Sequence, residues 1–189
     1  RRRQTSEERI EEAITEEVAL VLLPSVFYRS SQLLDMERIT AHAHRKGAII
    51  GFDCSHSVGV VPHRFDDFSP DFALWCSYKY LCGGPGSPAF IYINSEHFDR
   101  EPGLAGWFGN VKETQFDLKL DFEHTRSAGG WQVSSPGILS AAGVEGALEV
   151  ILDAGIERIR EKSLKMTSYL IFLVDQLLSG EPYDFDLIT

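Results

Sequence analysis

AIIGFDCSHSVG, at residues 48–59, begins with a short apolar run and turns polar at Asp53. The same pattern returns in FALWCSYKYLCGGPG, at residues 72–86, where the apolar run ends shortly before Lys79. Apolar runs of this length are typical of strands that are covered on both faces, as in parallel sheets. Each stretch therefore predicts a buried strand that ends in polar, chemically useful side chains.

The sequence around these two strands favours an α/β fold. VALVLL, at residues 18–23, is a third apolar run with the same predicted burial on both faces, and residues 89–93 form a fourth strand. A helix is predicted between the strand at residues 18–23 and the strand that begins at Ala48, capped by Asp35 and ended by Gly47. The order strand, helix, strand, connection, strand, strand indicates a mostly parallel sheet flanked by helices.

Helices are also predicted at both ends of the chain. Residues 6–17 are rich in glutamate, with Ile10 and Ile14 four residues apart, which suits a solvated helix that packs one narrow stripe. From Pro136 the pattern is helical again, interrupted at Gly155. The apolar repeat after Gly155 predicts a helix that docks on a core rather than a coiled-coil seam.

Composition excludes several classes of function. The chain has 189 residues and a net charge of −10, and its basic cluster at residues 1–3 is followed at once by glutamates. Nucleic acids and anionic membranes are therefore disfavoured as partners. The apolar stretch at residues 168–178 is too short to span a bilayer and contains Asp175. We expect a soluble protein.

The distribution of cysteine and histidine argues against disulfides and metals. Cys54, Cys76 and Cys82 are odd in number and form no CxxC, which favours a reducing, cytoplasmic location over a disulfide framework or a zinc ribbon. His42 and His44 are two apart on a predicted helix, whereas chelation from one helix face needs a spacing of four. No metal site is predicted.

Asp53 and Lys79 are the candidate chemical pair. Each follows a buried strand, and ligands of such sheets bind beyond the carboxyl ends of the strands. An amine and a carboxylate are what pyridoxal phosphate (PLP) requires, the amine to hold it and the carboxylate to pair with its ring nitrogen. His56 could pack on the ring, and the Tyr78 phenol could donate to phosphate or relay a proton. Taken singly, a lysine after a strand is usually a surface residue and an aspartate at a strand end is more often a helix cap. His56 could instead be a buried histidine bonded to backbone, and Tyr78 could be half-buried aromatic packing.

Five segments together resemble the kynureninase family of fold-type I PLP-dependent hydrolases. They are LLPSVFYRSSQLLDM, GFDCSHSVG, DFALWCSYKYLCGGPG, LAGWFGN and WQVSSPGIL. The resemblance runs from about residue 18 to about residue 170, and the motifs CSYKYL and GWFG in this order are specific. It implies that residues 1–135 are part of the large PLP-binding α/β domain. Residues 136–189 would be the connecting helix and the beginning of a smaller C-terminal domain.

The resemblance also implies roles for individual residues. Lys79 would hold the cofactor as a Schiff base, and Asp53 would pair with the pyridinium nitrogen. His56 and Tyr78 would contact the cofactor, with Tyr78 near the phosphate and able to donate a proton. Trp107 would reach the phosphate region of the partner subunit's site through its indole N–H.

Ser135 departs from the family pattern, which has Asn or Thr at the corresponding position. Its hydroxyl could still donate to a phosphate or substrate oxygen. The alternative is a helix N-cap with no part in the site.

The implied reaction is hydrolytic cleavage of the Cβ–Cγ bond of L-kynurenine or 3-hydroxykynurenine, giving anthranilate and L-alanine in tryptophan catabolism and NAD biosynthesis. Lys79 would be the base at Cα, and a homodimer with shared sites is expected. Family members are longer, with a phosphate loop and ring-stacking aromatic before this region and a carboxylate-binding arginine after it. If the 189 residues are the whole polypeptide, we expect poor cofactor retention and little turnover.

Two other interpretations remain open. One is a different fold-type I enzyme, such as an aminotransferase or a cysteine desulfurase, although a desulfurase needs a reactive cysteine on a later loop and none follows Cys82. The other is a non-catalytic fragment that folds and dimerises without chemistry.

Overall fold

The computed structural model of the protein describes residues 5–185 and 187. Its centre is a four-stranded sheet in the order β1-β2-β3-β4, in which β1, β2 and β3 are parallel and β4 runs antiparallel to β3. The strands are β1 (Leu20–Pro24), β2 (Ile49–Asp53), β3 (Phe72–Cys76) and β4 (Ala89–Ile93). The predicted α/β fold with a mostly parallel sheet is confirmed.

Five α-helices accompany the sheet in the part of the chain that the structure describes: α1 (Glu7–Ala13), α2 (Met36–Arg45), α3 (Phe65–Phe68), α4 (Ile138–Ala154) and α5 (Ile156–Leu177). As predicted, the Asp35 side chain caps α2 by accepting from the backbone N–H of Arg38 at 3.0 Å. The predicted helix over residues 6–17 is too long, because the backbone becomes extended at Ile14. The short helix α3 was not predicted, nor were the 3₁₀ turns Ser95–His97, Trp107–Gly109 and Ala128–Trp131.

The hydrophobic core lies on one face of the sheet. Alternate strand residues Ile50, Phe52 and Ala73 are fully buried there, against Ile39 and Ala43 of α2. Ile10 of α1 and Ile14 just after it extend the same core, as the predicted narrow stripe requires. This covered face holds the parallel strands in register, so it fixes where their carboxyl ends lie.

The other face of the sheet is largely open. Leu20 and Leu22 of β1 are 57% and 54% exposed, and Ile91 of β4 is 43% exposed. The prediction that residues 18–23 are covered on both faces is therefore wrong within the part of the chain that the structure describes. An uninterrupted apolar run indicates that both faces avoid water, but it does not say which segment covers each of them.

The two long C-terminal helices are separated by Gly155 as predicted, but the burial of the second one differs from expectation. Val144 is the buried residue of α4, whereas none of the residues of α5 is buried. Apolar side chains such as Leu170 and Phe172 are exposed along α5, which contacts α4. The predicted docking of this helix on a core is wrong among the described residues. None of the described helices is long and apolar enough to cross a membrane.

Candidate active site

Asp53 is the last residue of β2 and lies at the carboxyl edge of the sheet. It is in register with Pro24 of β1 on one side and with Leu74 of β3 on the other. Side chains alternate along a strand, so the Asp53 carboxylate belongs to the open face, opposite the buried Phe52. Its Oδ1 accepts a hydrogen bond from the backbone N–H of Ser55 at 2.9 Å. Its Oδ2 has no hydrogen-bond partner among residues 5–185 and 187, which leaves one carboxylate oxygen for a ligand.

Lys79 follows β3 by three residues, after the buried Ser77 and the exposed Tyr78. The Lys79 Nζ atom lies 5.7 Å from the centre of the Tyr78 ring. None of the ion pairs found in the described chain involves Lys79. Its amine is therefore not neutralised by a carboxylate and remains available for chemistry.

The segments that carry Asp53 and Lys79 are joined directly. The backbone N–H of Cys54 donates to the Leu74 carbonyl at 2.7 Å, and the N–H of Cys76 donates to the Ser55 hydroxyl at 3.2 Å. These bonds continue the β2–β3 pairing past the end of β2, along the last residues of β3. The predicted placement of the two strand ends at one edge of the sheet is confirmed.

Gly59 brings the two loops still closer. Its φ is +96°, and a Cβ at this position would stand 2.7 Å from the carbonyl carbon and oxygen of Tyr80. Only a residue without a side chain allows this approach, so the turn after Asp53 packs on the backbone that follows Lys79. Sequence reasoning missed Gly59 and Ser55. The glycine in SHSVG was a usable signal, because a glycine shortly after a strand often marks a close backbone approach.

The glycines in the turn after Lys79 have two different roles, backbone conformation and close packing. Gly84 and Gly86 have positive φ of +83° and +79°, as the predicted sharp turn requires. Gly83 makes room instead, because a Cβ there would stand 2.8 Å from the Val144 side chain. Its N–H also donates to the Ser77 carbonyl at 2.9 Å, which closes the turn. Helix α4 thus supports the backbone next to Lys79.

His56 lies in the turn after β2 and is partly buried. Neither of its ring nitrogens has a hydrogen-bond partner in the described part of the chain. The imidazole is on the segment that connects Asp53 to Gly59, and among the described residues it makes no aromatic ring contact either. A ring-packing role for His56 is compatible with this position and stays a prediction.

Trp107 and Ser135 lie on adjacent segments. A Cβ at Gly106 would stand 2.1 Å from the Val133 carbonyl oxygen, so the two stretches run side by side. The Trp107 Nε1–H donates to the Gln115 carbonyl at 2.9 Å. A phosphate of a partner's site would have to compete with this bond, and the role stays a prediction.

Ser135 is exposed and does not cap α4. The N-cap of α4 is Gly137, with no side-chain hydrogen bond to the helix. The N-cap alternative for Ser135 is therefore wrong, because the helix begins at Ile138, two residues later than that role requires.

A cluster of acidic and imidazole groups lies at the opposite, amino edge of the strands. Asp71 accepts from the Ile50 N–H at 2.7 Å and contacts the Nε2 atoms of His44 at 3.0 Å and His97 at 2.5 Å. Burial opposes ionisation of Asp71, but these hydrogen bonds outweigh it and lower its pKa. Within the described residues, no three side chains of His, Cys, Asp or Glu are placed to hold a metal ion.

The chain belongs to the aminotransferase class-V family, whose sequence profile matches residues 1–184. Kynureninases are among its relatives. It is 49% identical to kynureninase of Bacillus cereus strain ZK / E33L over 188 residues, which cover 96% of this chain and 44% of the relative. It is 50% identical to kynureninase of Geobacillus thermodenitrificans strain NG80-2, covering 94% of this chain and 43% of the relative. The chain spans less than half the length of these curated relatives.

Solved structures support the fold. The apo cysteine desulfurase of Thermococcus onnurineus NA1 superposes with a TM-score of 0.73 at 24% identity, covering 93% of this chain and 43% of that one. A variant of C-DES with glycine covalently linked to its PLP cofactor superposes with a TM-score of 0.75 at 18% identity, covering 92% of this chain and 46% of that one. At these identities the likeness shows a shared fold.

Proposed function

We propose that this chain carries the cofactor-anchoring part of a PLP-dependent kynureninase. The reaction would be hydrolysis of the Cβ–Cγ bond of L-kynurenine or 3-hydroxykynurenine, with anthranilate and L-alanine as products of the former. The observation that carries the proposal is the joining of the Asp53 and Lys79 segments at one sheet edge, by the Cys54–Leu74 and Cys76–Ser55 bonds. Support for the substrate comes from kynureninase relatives at about 50% identity across nearly the whole chain.

The residues present fit PLP in their chemistry. Asp53 offers its Oδ2 atom, which has no hydrogen-bond partner among the described residues. Its Oδ1 atom accepts from the backbone N–H of Ser55 at 2.9 Å. Lys79 offers an amine outside every ion pair of the described residues. When bound, PLP supplies an electron sink that stabilises charge at the substrate Cα. An amine outside ion pairs and a carboxylate with one unpartnered oxygen, carried by neighbouring strands, are the donor set that such a group requires.

Each side chain has a distinct task in this proposal. Lys79 holds the cofactor covalently and then takes the proton from the substrate Cα. Asp53 keeps a proton on the pyridine nitrogen by accepting a hydrogen bond at Oδ2. His56 packs on the ring, and Tyr78 donates to the phosphate and moves a proton near the substrate carbonyl. Trp107 and Ser135 bind phosphate or substrate oxygens.

The same proposal extends to assembly and location. Residues 1–135 belong to the large PLP-binding domain and residues 136–189 begin the smaller one. A homodimer with shared sites is what the resemblance to kynureninases implies, and the exposed apolar side chains of α5 are compatible with an interface. Three free cysteines support a cytoplasmic location.

The test is cofactor capture by the polypeptide as its gene encodes it. PLP is added, the protein is reduced with borohydride and digested, and the modified peptide is sequenced by mass spectrometry. We expect the adduct on Lys79 and its loss in Lys79→Ala. Asp53→Asn should keep the adduct but reduce turnover by about 100-fold or more, because the ring nitrogen loses the charge that stabilises its proton.

Product analysis separates the competing functions. Anthranilate fluorescence from kynurenine supports the proposal, whereas alanine and sulfide from cysteine would identify a desulfurase. Failure to trap any lysine adduct would overturn the proposal and favour the non-catalytic interpretation. Lys46→Ala is the matched control for Lys79→Ala in the adduct experiment, because Lys46 is a surface lysine that pairs with Glu16 at 3.6 Å, away from the carboxyl ends of the strands.

A further inference from the structure

A chain of buried hydroxyl groups lies behind Asp53. The Asp53 carbonyl oxygen accepts from the backbone N–H of Ser25 at 2.9 Å and from the Ser25 hydroxyl at 3.2 Å. The Ser25 hydroxyl is 2.6 Å from the Ser57 hydroxyl, which is 2.8 Å from Nε2 of His63. Ser25 and Ser57 are completely buried. The chain His63–Ser57–Ser25 thus ends on the backbone of the residue proposed to hold the cofactor nitrogen.

The directions of these hydrogen bonds follow from the atoms at the end of the chain. Two carbonyl oxygens that can only accept lie at 3.2 Å from these hydroxyls, that of Asp53 from Ser25 and that of Cys54 from Ser57. Either serine can therefore supply the proton of the 2.6 Å contact between them, and in both cases the Ser57 proton points away from His63. Ser57 then accepts from His63 Nε2–H. In this arrangement the buried His63 Nδ1, which has no partner among the described atoms, is a lone pair rather than an N–H. An unpaired acceptor costs less than an unpaired buried donor, so this direction is favoured.

The environment of His63 keeps its ring neutral. Burial lowers the pKa of His63 to about 4. The ring stacks on Phe65 at a centroid distance of 5.2 Å, which fixes its plane. At neutral pH the imidazole is therefore a rigid, uncharged N–H donor at the start of the chain.

We propose that His63, Ser57 and Ser25 are positioning residues that hold the end of β2 so that the Asp53 carboxylate meets the cofactor nitrogen. This inference rests on the proposed function, because it assigns the three residues to the same site. None of them is proposed to touch the cofactor. They act through Asp53, whose backbone is held on one side by Ser25 and whose Oδ1 is held on the other by Ser55. A small rotation of this residue would move Oδ2 out of line with the ring nitrogen.

The experiment compares variants that break the chain with variants that keep it. Ser57→Ala and His63→Leu break it, whereas His63→Gln places an amide N–H near the position of Nε2. Thr40→Val is the matched control for loss of a buried hydroxyl, because Thr40 Oγ1 is buried without a hydrogen-bond partner among the described residues. All are made in the full polypeptide as its gene encodes it.

Three quantities are measured on each variant. PLP titration followed by visible absorbance gives the dissociation constant, and the pH midpoint of the bound cofactor's absorbance reports the protonation equilibrium around it. Amide hydrogen exchange of the protein without PLP reports the N–H of Ser25, which bonds to Asp53. We expect Ser57→Ala and His63→Leu to weaken PLP binding and speed this exchange, each by about 10-fold. The pH midpoint should shift by about half a unit, and His63→Gln should restore most of each change.

The outcomes separate this inference from the proposed function. A flat PLP titration of the unmodified protein would overturn the proposed function, while the exchange measurement would still decide whether the chain holds Asp53. Normal PLP binding with Ser57→Ala and His63→Leu indistinguishable from Thr40→Val in all three quantities would overturn the inference. Should Ser57→Ala fail to fold, the contrast between His63→Leu and His63→Gln decides the question by itself.

Discussion

The two faces of the sheet are built from equally apolar residues but have different surroundings in this chain. On the covered face, Ile50 and Phe52 are 0% exposed and pack against the α2 residue Ile39. On the open face, Leu20 and Leu22 remain more than half exposed. The covered face supplies the stability of the described fold, since apolar burial contributes roughly 25 cal/mol per Å².

The difference has a functional meaning because Asp53 belongs to the open face. The covered face fixes the strand ends, while the side chain that is proposed to bind the cofactor points away from the core. The chain also spans less than half of its kynureninase relatives. We expect stability to depend on the covered face and cofactor binding on the open face, and each prediction below tests part of this difference.

Truncation of a core residue gives the largest expected contrast. In the 189-residue chain, Ile50→Ala should lower the free energy of unfolding by about 4 kcal/mol, because it leaves a cavity in a packed interior. Leu22→Ala removes a similar side chain from a half-exposed position and should cost less than about 1 kcal/mol. Urea unfolding followed by circular dichroism measures both. Equal losses would show that the open face is buried in solution.

The next largest loss of stability is expected where the turn after β2 packs on the backbone that follows Lys79. Gly59→Ala introduces a Cβ 2.7 Å from the Tyr80 carbonyl and forces an unfavourable φ, so we expect a loss of about 3 kcal/mol. Gly47→Ala is the control, because Gly47 has a similar φ of +78° but no atom within 4 Å of the added Cβ. Its loss should be near 1 kcal/mol. If Gly59→Ala costs no more than this control, the close approach of the two loops is not maintained.

The pH dependence of stability should reveal the neutral imidazole beside the covered face. His63 has a pKa of about 4 when folded and 6.5 ordinarily, so the unfolded chain binds more protons between these values. Stability is therefore fully present above pH 6.5 and falls as the pH drops towards 4, by about 2 kcal/mol after allowance for partial solvent access. His63→Gln should flatten this part of the profile. Both proteins keep Asp71, so its contribution to the pH dependence of stability is the same in each. If the two stability profiles run parallel, the loss of stability towards acid pH does not come from His63.

The smallest expected effect concerns a buried hydroxyl in α2. Thr40 is 1% exposed and its Oγ1 has no hydrogen-bond partner within the described chain. Thr40→Val keeps the shape and removes the unpaired polar group, so we expect a gain of about 1 kcal/mol. Thermal unfolding would show this as a rise in Tm. A decrease would mean that a water molecule or another group satisfies this hydroxyl in solution.

The sequence determined most of the local structure and the identity of the candidate pair. Runs of apolar residues located β3 and β4 at their observed bounds, and Asp35 gave the start of α2. These features depend on side-chain periodicity and on capping chemistry, both of which act over a few residues. Asp53 and Lys79 could be selected for the same reason, since Asp53 ends its strand and Lys79 follows its own strand by three residues.

Only the tertiary structure decided which faces are covered and which distant groups meet. The exposure of Leu22 and of α5, the approach of Gly59 to Tyr80, and the chain from His63 to Asp53 all depend on contacts between segments that are far apart in sequence. A periodic pattern states that a face avoids water, but it carries no information about its partner. Short-range signals therefore located the strand ends, and long-range packing determined how Asp53 is held there.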